Sequence, residues 1–155
     1  MEKTFSTLEV LNICGWYKQA REKESKPLNA LPLKIQWNLK KNINAFSTTA
    51  DDFIALQKEM EDKLRNKYAV DEYSEETTNE NGDLVRKVKD EYLEKFQSEI
   101  DDMNQKLNEI LEEKVTVSLV PINVDAMLEE LGDKDIDLDV DDLEILANFS
   151  EDNID

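Results

Sequence analysis

Two apolar stripes, each stepping by three or four residues, constrain the fold of this chain more than any other feature. The first runs Leu39, Ile43, Phe46, Ala50, Phe53, Leu56 or Gln57, Met60, Leu64 and Tyr68. The second runs Val88, Tyr92, Phe96, Ile100, Met103, Leu107 and Ile110 or Leu111. Such steps place each set along one side of an α-helix. A helix with one apolar side must bury it, and the nearest partner for each stripe is the other. The expectation is a mainly α protein: a long antiparallel, coiled-coil-like helical hairpin over about 32–113 with its tip at about 71–85, short accessory helices and a small β element. Residues 1–149 read as a single α-rich domain and 150–155 as an acidic tail.

Composition narrows the function classes. Charged residues make up 36% and apolar ones 39% of the 155, a balance that suits exposed helices with a narrow buried stripe. Three glycines leave no phosphate-cradling glycine-rich loop. Histidine is absent, which removes the commonest general base, the usual serine or cysteine triad and the commonest zinc ligand. No carboxylate pair is set in an apolar context that would tune it for acid–base work, so a non-catalytic protein without a cofactor is expected. The lone Cys14 fits a reducing compartment and reads as a small buried hydrophobe. No apolar run is long enough to span a bilayer, and 1–10 lacks the basic-then-apolar pattern of a secretory signal.

The net charge of −18 is uneven. Residues 1–50 carry eight basic and four acidic side chains, 51–114 ten and twenty, and 115–155 one and thirteen. The acidic two thirds repel phosphates, so no cognate nucleic acid is expected, nor a membrane. An acidic surface mimicking DNA is a weaker alternative, because Lys58, Lys63, Arg65 and Lys67 interrupt it as on an ordinary solvated helix face.

Local signals place the elements. Ser6-Thr7-Leu8-Glu9 has capping-box spacing and opens a first helix with Leu8, Leu11, Trp16 and Tyr17 on its buried side. Pro32 stands at the start of the long helix, and Ser47-Thr48-Thr49 predicts a bend or short break in it. Asn81-Gly82 marks a turn that suits a short β-hairpin between Tyr73 and Leu84 to Val88, or a solvated loop. Val115, Val117 and Leu119 alternate with Thr116 and Ser118, a strand over about 115–122 ending near Pro121. It needs a partner, from 1–5, another segment or another chain. Asn123 and Asp139 cap two short final helices.

Three constellations are candidates for function. Glu94, Asp101 and Asp102 lie on the second long helix and offer an acidic contact face. Trp16 and Trp37, with Tyr17, stand close to Leu31, Leu33 and Ile35 and among Lys18, Lys34, Lys40 and Lys41, and read either as a protein-binding patch or as the closure of a helical core. Asp133, Asp135, Asp137, Asp139 and Glu144 fall at positions 1, 3, 5, 7 and 12 of an EF-hand-like calcium spacing. There, Leu138 replaces the glycine of the sharp turn, so acid–apolar alternation on a packed face is the stronger reading and no metal is expected.

The order of these features resembles a family of small proteins of tailed bacteriophages and prophages of Gram-positive bacteria, to which no activity is assigned. The likeness rests on Leu31-Pro32-Leu33-Lys34 opening a long helix and on the acidic tip with Asn81-Gly82-Asp83. It rests also on Leu107-Asn108-Glu109-Ile110-Leu111-Glu112-Glu113-Lys114-Val115 and on the closing Asp142-Leu143-Glu144-Ile145-Leu146-Ala147-Asn148-Phe149. It implies an infected bacterial cytoplasm or a virion. In that setting the expected function is binding of a basic protein partner, as an inhibitor of a host factor or defence component acting through an acidic helical surface. The alternatives are a structural or assembly accessory that forms homo-oligomers through the hairpin, and an acidic calcium-binding module.

Overall fold

A computed structural model of the chain describes residues 1–22, 27–132 and 138–151. The elements are β1 (Glu2–Ser6), α1 (Thr7–Glu22), a 3-10 turn (Pro27–Ala30), α2 (Leu33–Tyr68), β2 (Ser74–Thr78) and β3 (Leu84–Val88). A second 3-10 turn (Asp90–Tyr92) leads into α3 (Leu93–Leu111), followed by β4 (Lys114–Ser118), α4 (Val124–Leu131) and α5 (Val140–Ala147). The protein is therefore mainly helical with a small β component. No described helix is long and apolar enough to cross a membrane. The chain divides into two compact units. One is Met1–Asp51 with the described residues from Glu112 onward; the other is Asp52–Leu111.

The division follows from the lengths of the two stripes. At 1.5 Å per residue, α2 is about 54 Å long and α3 about 28 Å, so α3 has about half the length of α2. Leu39, Ile43, Phe46 and Ala50 belong instead to the core of the first unit, with Phe5, Val10, Ile13, Val117, Met127, Leu146 and Phe149. The Phe46 ring meets Phe5 edge-on at 5.1 Å and Phe149 at 6.3 Å. In the second unit Phe53, Tyr68 and Leu107 are buried, and Met60, Leu64, Phe96, Ile100 and Met103 are half-buried.

In the first unit β1 and β4 pair antiparallel, Glu2 opposite Ser118 and Phe5 opposite Val115. The β4 partner is thus the N-terminal segment. Val117 and Leu119 are buried while Thr116 and Ser118 are exposed, as the alternation requires. The expected strand to 122 stops at Ser118. Beyond it the buried Asn42 side chain takes both backbone groups of Val120, and Pro121 has no N–H to extend a ladder. Ser6 Oγ accepts from the Glu9 amide at 3.1 Å, so α1 starts where its cap predicts. Its buried face, however, is Thr7, Val10, Ile13 and Ala20, while Leu8 is exposed and Leu11, Trp16 and Tyr17 are half-buried.

α2 runs unbroken through Ser47-Thr48-Thr49, against the expected bend. Ser47 donates its hydroxyl to the Ile43 carbonyl at 2.9 Å, which satisfies the side chain within the helix. Phe46, Ala50 and Phe53 hold that stretch by burial, which outweighs its weak helix propensity.

In the second unit β2 and β3 form the hairpin that the sequence allowed, Ser74 opposite Val88 and Thr78 opposite Leu84. Gly82 takes φ +81°, a conformation that favours glycine, and Asn79 Oδ1 accepts from the Asn81 and Asp83 amides at 3.0 and 2.9 Å. Arg86 fixes the hairpin base: its Nε donates to Ser74 Oγ at 3.0 Å and its Nη2 to Asp71 at 2.6 Å. The Arg86 guanidinium holds the Asp71 carboxyl below the usual carboxylate range.

Candidate functional site

In the first unit the loop before α2 and the face of α1 enclose a cleft of about 160 Å³. Tyr17 and Arg21 come from α1, Leu28 and Asn29 from the 3-10 turn, and Leu33, Trp37 and Lys40 from α2. Gln36 ties the loop down, its Nε2 donating to the carbonyls of Leu31 at 2.7 Å and Asn29 at 3.2 Å. Leu28 is buried as the floor, whereas Leu33 is 80% and Trp37 56% exposed. These two lie four residues apart and so share one face of α2. Each aromatic carries a cation. Arg21 Cζ stands 5.6 Å from the Tyr17 ring centre, with Nη1 donating to the phenol oxygen at 3.0 Å, and Lys41 Nζ stands 5.4 Å from the Trp37 ring centre.

The two tryptophans that the sequence grouped have different roles. Trp16 is half-buried, and its indole N–H donates to Asp142 Oδ1 at 2.7 Å, so it closes the core. Asp142 is buried because it serves two ends at once. It accepts a hydrogen bond from the Trp16 indole N–H and completes a capping box with Asp139: Asp139 Oδ1 accepts from the Asp142 amide at 2.9 Å, and Asp142 Oδ2 from the Asp139 amide at 3.1 Å. Lys3 Nζ closes the other end of α5 by donating to the Asn148 and Ser150 carbonyls at 2.8 and 3.3 Å. Of the five calcium candidates, Asp133, Asp135 and Asp137 lie outside the described residues, Asp139 is this helix cap, and Glu144 is exposed on α5. Cys14 is half-buried rather than fully buried, and burial pushes its thiol up, with the Asp51 carboxylate adding to the shift.

In the second unit Glu94, Asp101 and Asp102 are all exposed on α3, with Glu109 further along. At 3.6 residues per turn these four fall on one side of the helix, opposite Phe96, Ile100, Met103, Leu107 and Ile110. Gln97 Nε2 donates to Asp101 at 3.0 Å. Three α2 cations of this unit pair nearby: Lys63 with Glu59 at 3.0 Å, Arg65 with Asp62 at 3.1 Å, and Lys67 with Glu99 on α3. The Lys67 ammonium and the Tyr68 hydroxyl lower the Glu99 carboxyl, and burial, then Glu99, push the Tyr68 hydroxyl up to about 12. The Tyr68 ring meets Phe96 at 4.8 Å and Tyr73 at 5.3 Å, and Tyr73 meets Tyr92 at 4.9 Å.

No protein-family model, curated protein or solved structure matches the chain. The sequence reasoning placed Leu33 beside Trp37 and missed Arg21 and Leu28 as cleft residues. It also missed Asn42 and the Trp16–Asp142 pair as structural polar contacts.

Proposed function

We propose that this chain is a non-catalytic protein-binding protein of a phage setting, and that it engages a basic partner through the acidic face of α3. The observation that carries the reading is the split of α3 into two opposite stripes. Glu94, Asp101, Asp102 and Glu109 are exposed, while the apolar residues on the other side are buried or half-buried. On this reading the C-terminal half of α2 and α3 form an antiparallel hairpin that turns its apolar seam inward and leaves the carboxylates for a partner. The Tyr68–Phe96 ring contact and the Lys67–Glu99 ion pair support that pairing. Opposite potentials on the two proteins speed their encounter and make it sensitive to salt.

Capture with the full chain from lysate of a phage-infected Gram-positive host, followed by mass spectrometry, identifies the partner. Its affinity should fall as salt rises through the physiological range, where the screening length is about 8 Å. Lysine at Glu94, Asp101 and Asp102 together should slow association while the circular dichroism spectrum stays helical. Binding that ignores both salt and these reversals refutes the acidic-face mechanism.

A further inference from the structure

We infer that the cleft between α1 and α2 is a second binding site, opposite in charge preference to the α3 face: it takes an acidic peptide segment that inserts one apolar side chain against Tyr17 and Trp37. Size sets the first limit. A pocket of about 160 Å³ is below the 300–1,000 Å³ of sites for cofactors and drug-sized ligands, but an apolar cavity of about 150 Å³ holds a benzene ring. One ring or branched aliphatic side chain therefore fits, and the remainder of the ligand must run outside.

The rim says what that remainder is. Arg21 and Lys40 line the cleft and Lys41 sits on the Trp37 ring. Among the described residues none of these three cations is paired with a carboxylate, whereas Lys63, Arg65, Lys67 and Arg86 of the second unit all are. Carboxylates flanking the inserted side chain would complete charge-assisted hydrogen bonds with them. A lone exposed Leu on a helix means little. Leu33 and Trp37 together, beside a preformed concavity and uncommitted cations, have the composition of an interface anchor. Gln36 keeps the site open in the free protein by holding the Asn29–Leu31 loop through two hydrogen bonds, so binding orders little new structure.

The chain's two tryptophans provide the readout. In the 15N-labelled full chain, the Trp16 indole resonance reports its N–H bond to Asp142 and the Trp37 resonance reports the cleft. The probe is a capped pentapeptide of one phenylalanine flanked on each side by two acidic residues. Its controls are the same peptide with alanine in place of phenylalanine, and a version flanked by lysines. The acidic phenylalanine peptide should shift the Trp37 resonance saturably and leave Trp16 in place. Removal of the ring, or Arg21→Glu with Lys40→Glu, should weaken binding by about tenfold or more. Because the peptide controls are run on the unaltered chain, the test stands even if the double variant unfolds. Equal binding of the lysine peptide, no saturation with any peptide, or a shift confined to Trp16 overturns the inference. A Trp37 shift produced by raising the protein concentration alone also overturns it, in favour of a second copy of the chain as occupant.

Discussion

Asn42 should be the polar residue on which the first unit depends most. It is 1% exposed, and it faces the backbone of Val120 as a strand neighbour would. Its Oδ1 accepts from the Val120 amide at 2.7 Å and its Nδ2 donates to the Val120 carbonyl at 2.9 Å. The orientation of the side-chain amide is fixed, because only its oxygen can accept from an N–H. Asn42→Ala removes both bonds and leaves two backbone groups without partners. Each backbone group left without its partner costs about 1–1.5 kcal/mol, the low end of the desolvation penalty, because water reaches half-buried Val120 in part. The expected cost is about 2–3 kcal/mol, which for a chain of this length lowers the melting temperature by about 4–12 °C. The assay is thermal unfolding together with amide hydrogen exchange. Protection of the Val120 amide should vanish selectively, and Asn44→Ala, on the exposed side of the same helix, should change neither quantity. A melting temperature within a degree of the parent's, or a Val120 amide that stays protected, refutes the bridging role.

Local chemistry was legible in the sequence wherever it acts over a few residues. Ser6, Asn123 and Asp139 each cap the helix that their position predicts, because a cap needs only an oxygen two or three residues before a free amide. The alternation from Val115 to Leu119 and the Asn81-Gly82 turn were legible for the same reason. What failed depends on distant partners. The first stripe reads as one surface, yet its Leu39–Ala50 portion joins the core of one unit and Phe53–Tyr68 lies in the other. Only a comparison of helix lengths would have suggested this. The bend at Ser47-Thr49 was read from propensity, and packing of Phe46 and Phe53 overrode it. One signal was overlooked. Asn42 stands three residues after Leu39 and four before Phe46, on the buried side of α2, where an amide must have a partner. No sequence pattern pairs Trp16 with Asp142, 126 residues away. The cleft was half legible: Leu33, Trp37 and the lysines were visible along one helix, but Arg21 and Leu28 reach it only through the turn between α1 and α2.

Three further predictions follow from particular residues. Gly15 lies inside α1 with open space where a Cβ would stand, so Gly15→Ala should raise stability by about 0.5–1 kcal/mol in denaturant unfolding; a loss would mean that the position is more crowded than this. Glu99 has a lowered folded pKa, so its contribution to stability is present above the unfolded carboxylate range and is lost as pH falls through the folded value; Glu99→Gln should flatten that acid limb of stability against pH, and an unchanged limb refutes it. Phe96→Ala tests the α2–α3 pairing and the tyrosine together. Phe96 is half-buried against Tyr68, so truncation should cost about 1.5–3 kcal/mol rather than the 3–5 of a fully buried ring. Among the four tyrosines, Tyr68 is pushed up to about 12, with burial the largest cause and Glu99 the next. Its raised folded pKa means that the stability it contributes is complete below the unfolded value near 10 and is lost as pH rises toward about 12. Opening the Phe96 side lets water reach the ring, so the late-ionising tyrosine in an alkaline absorbance titration should move down toward 10. If the variant loses stability but the late tyrosine stays near 12, Phe96 is not what shields Tyr68, and the seam proposed between α2 and α3 lies elsewhere on these helices.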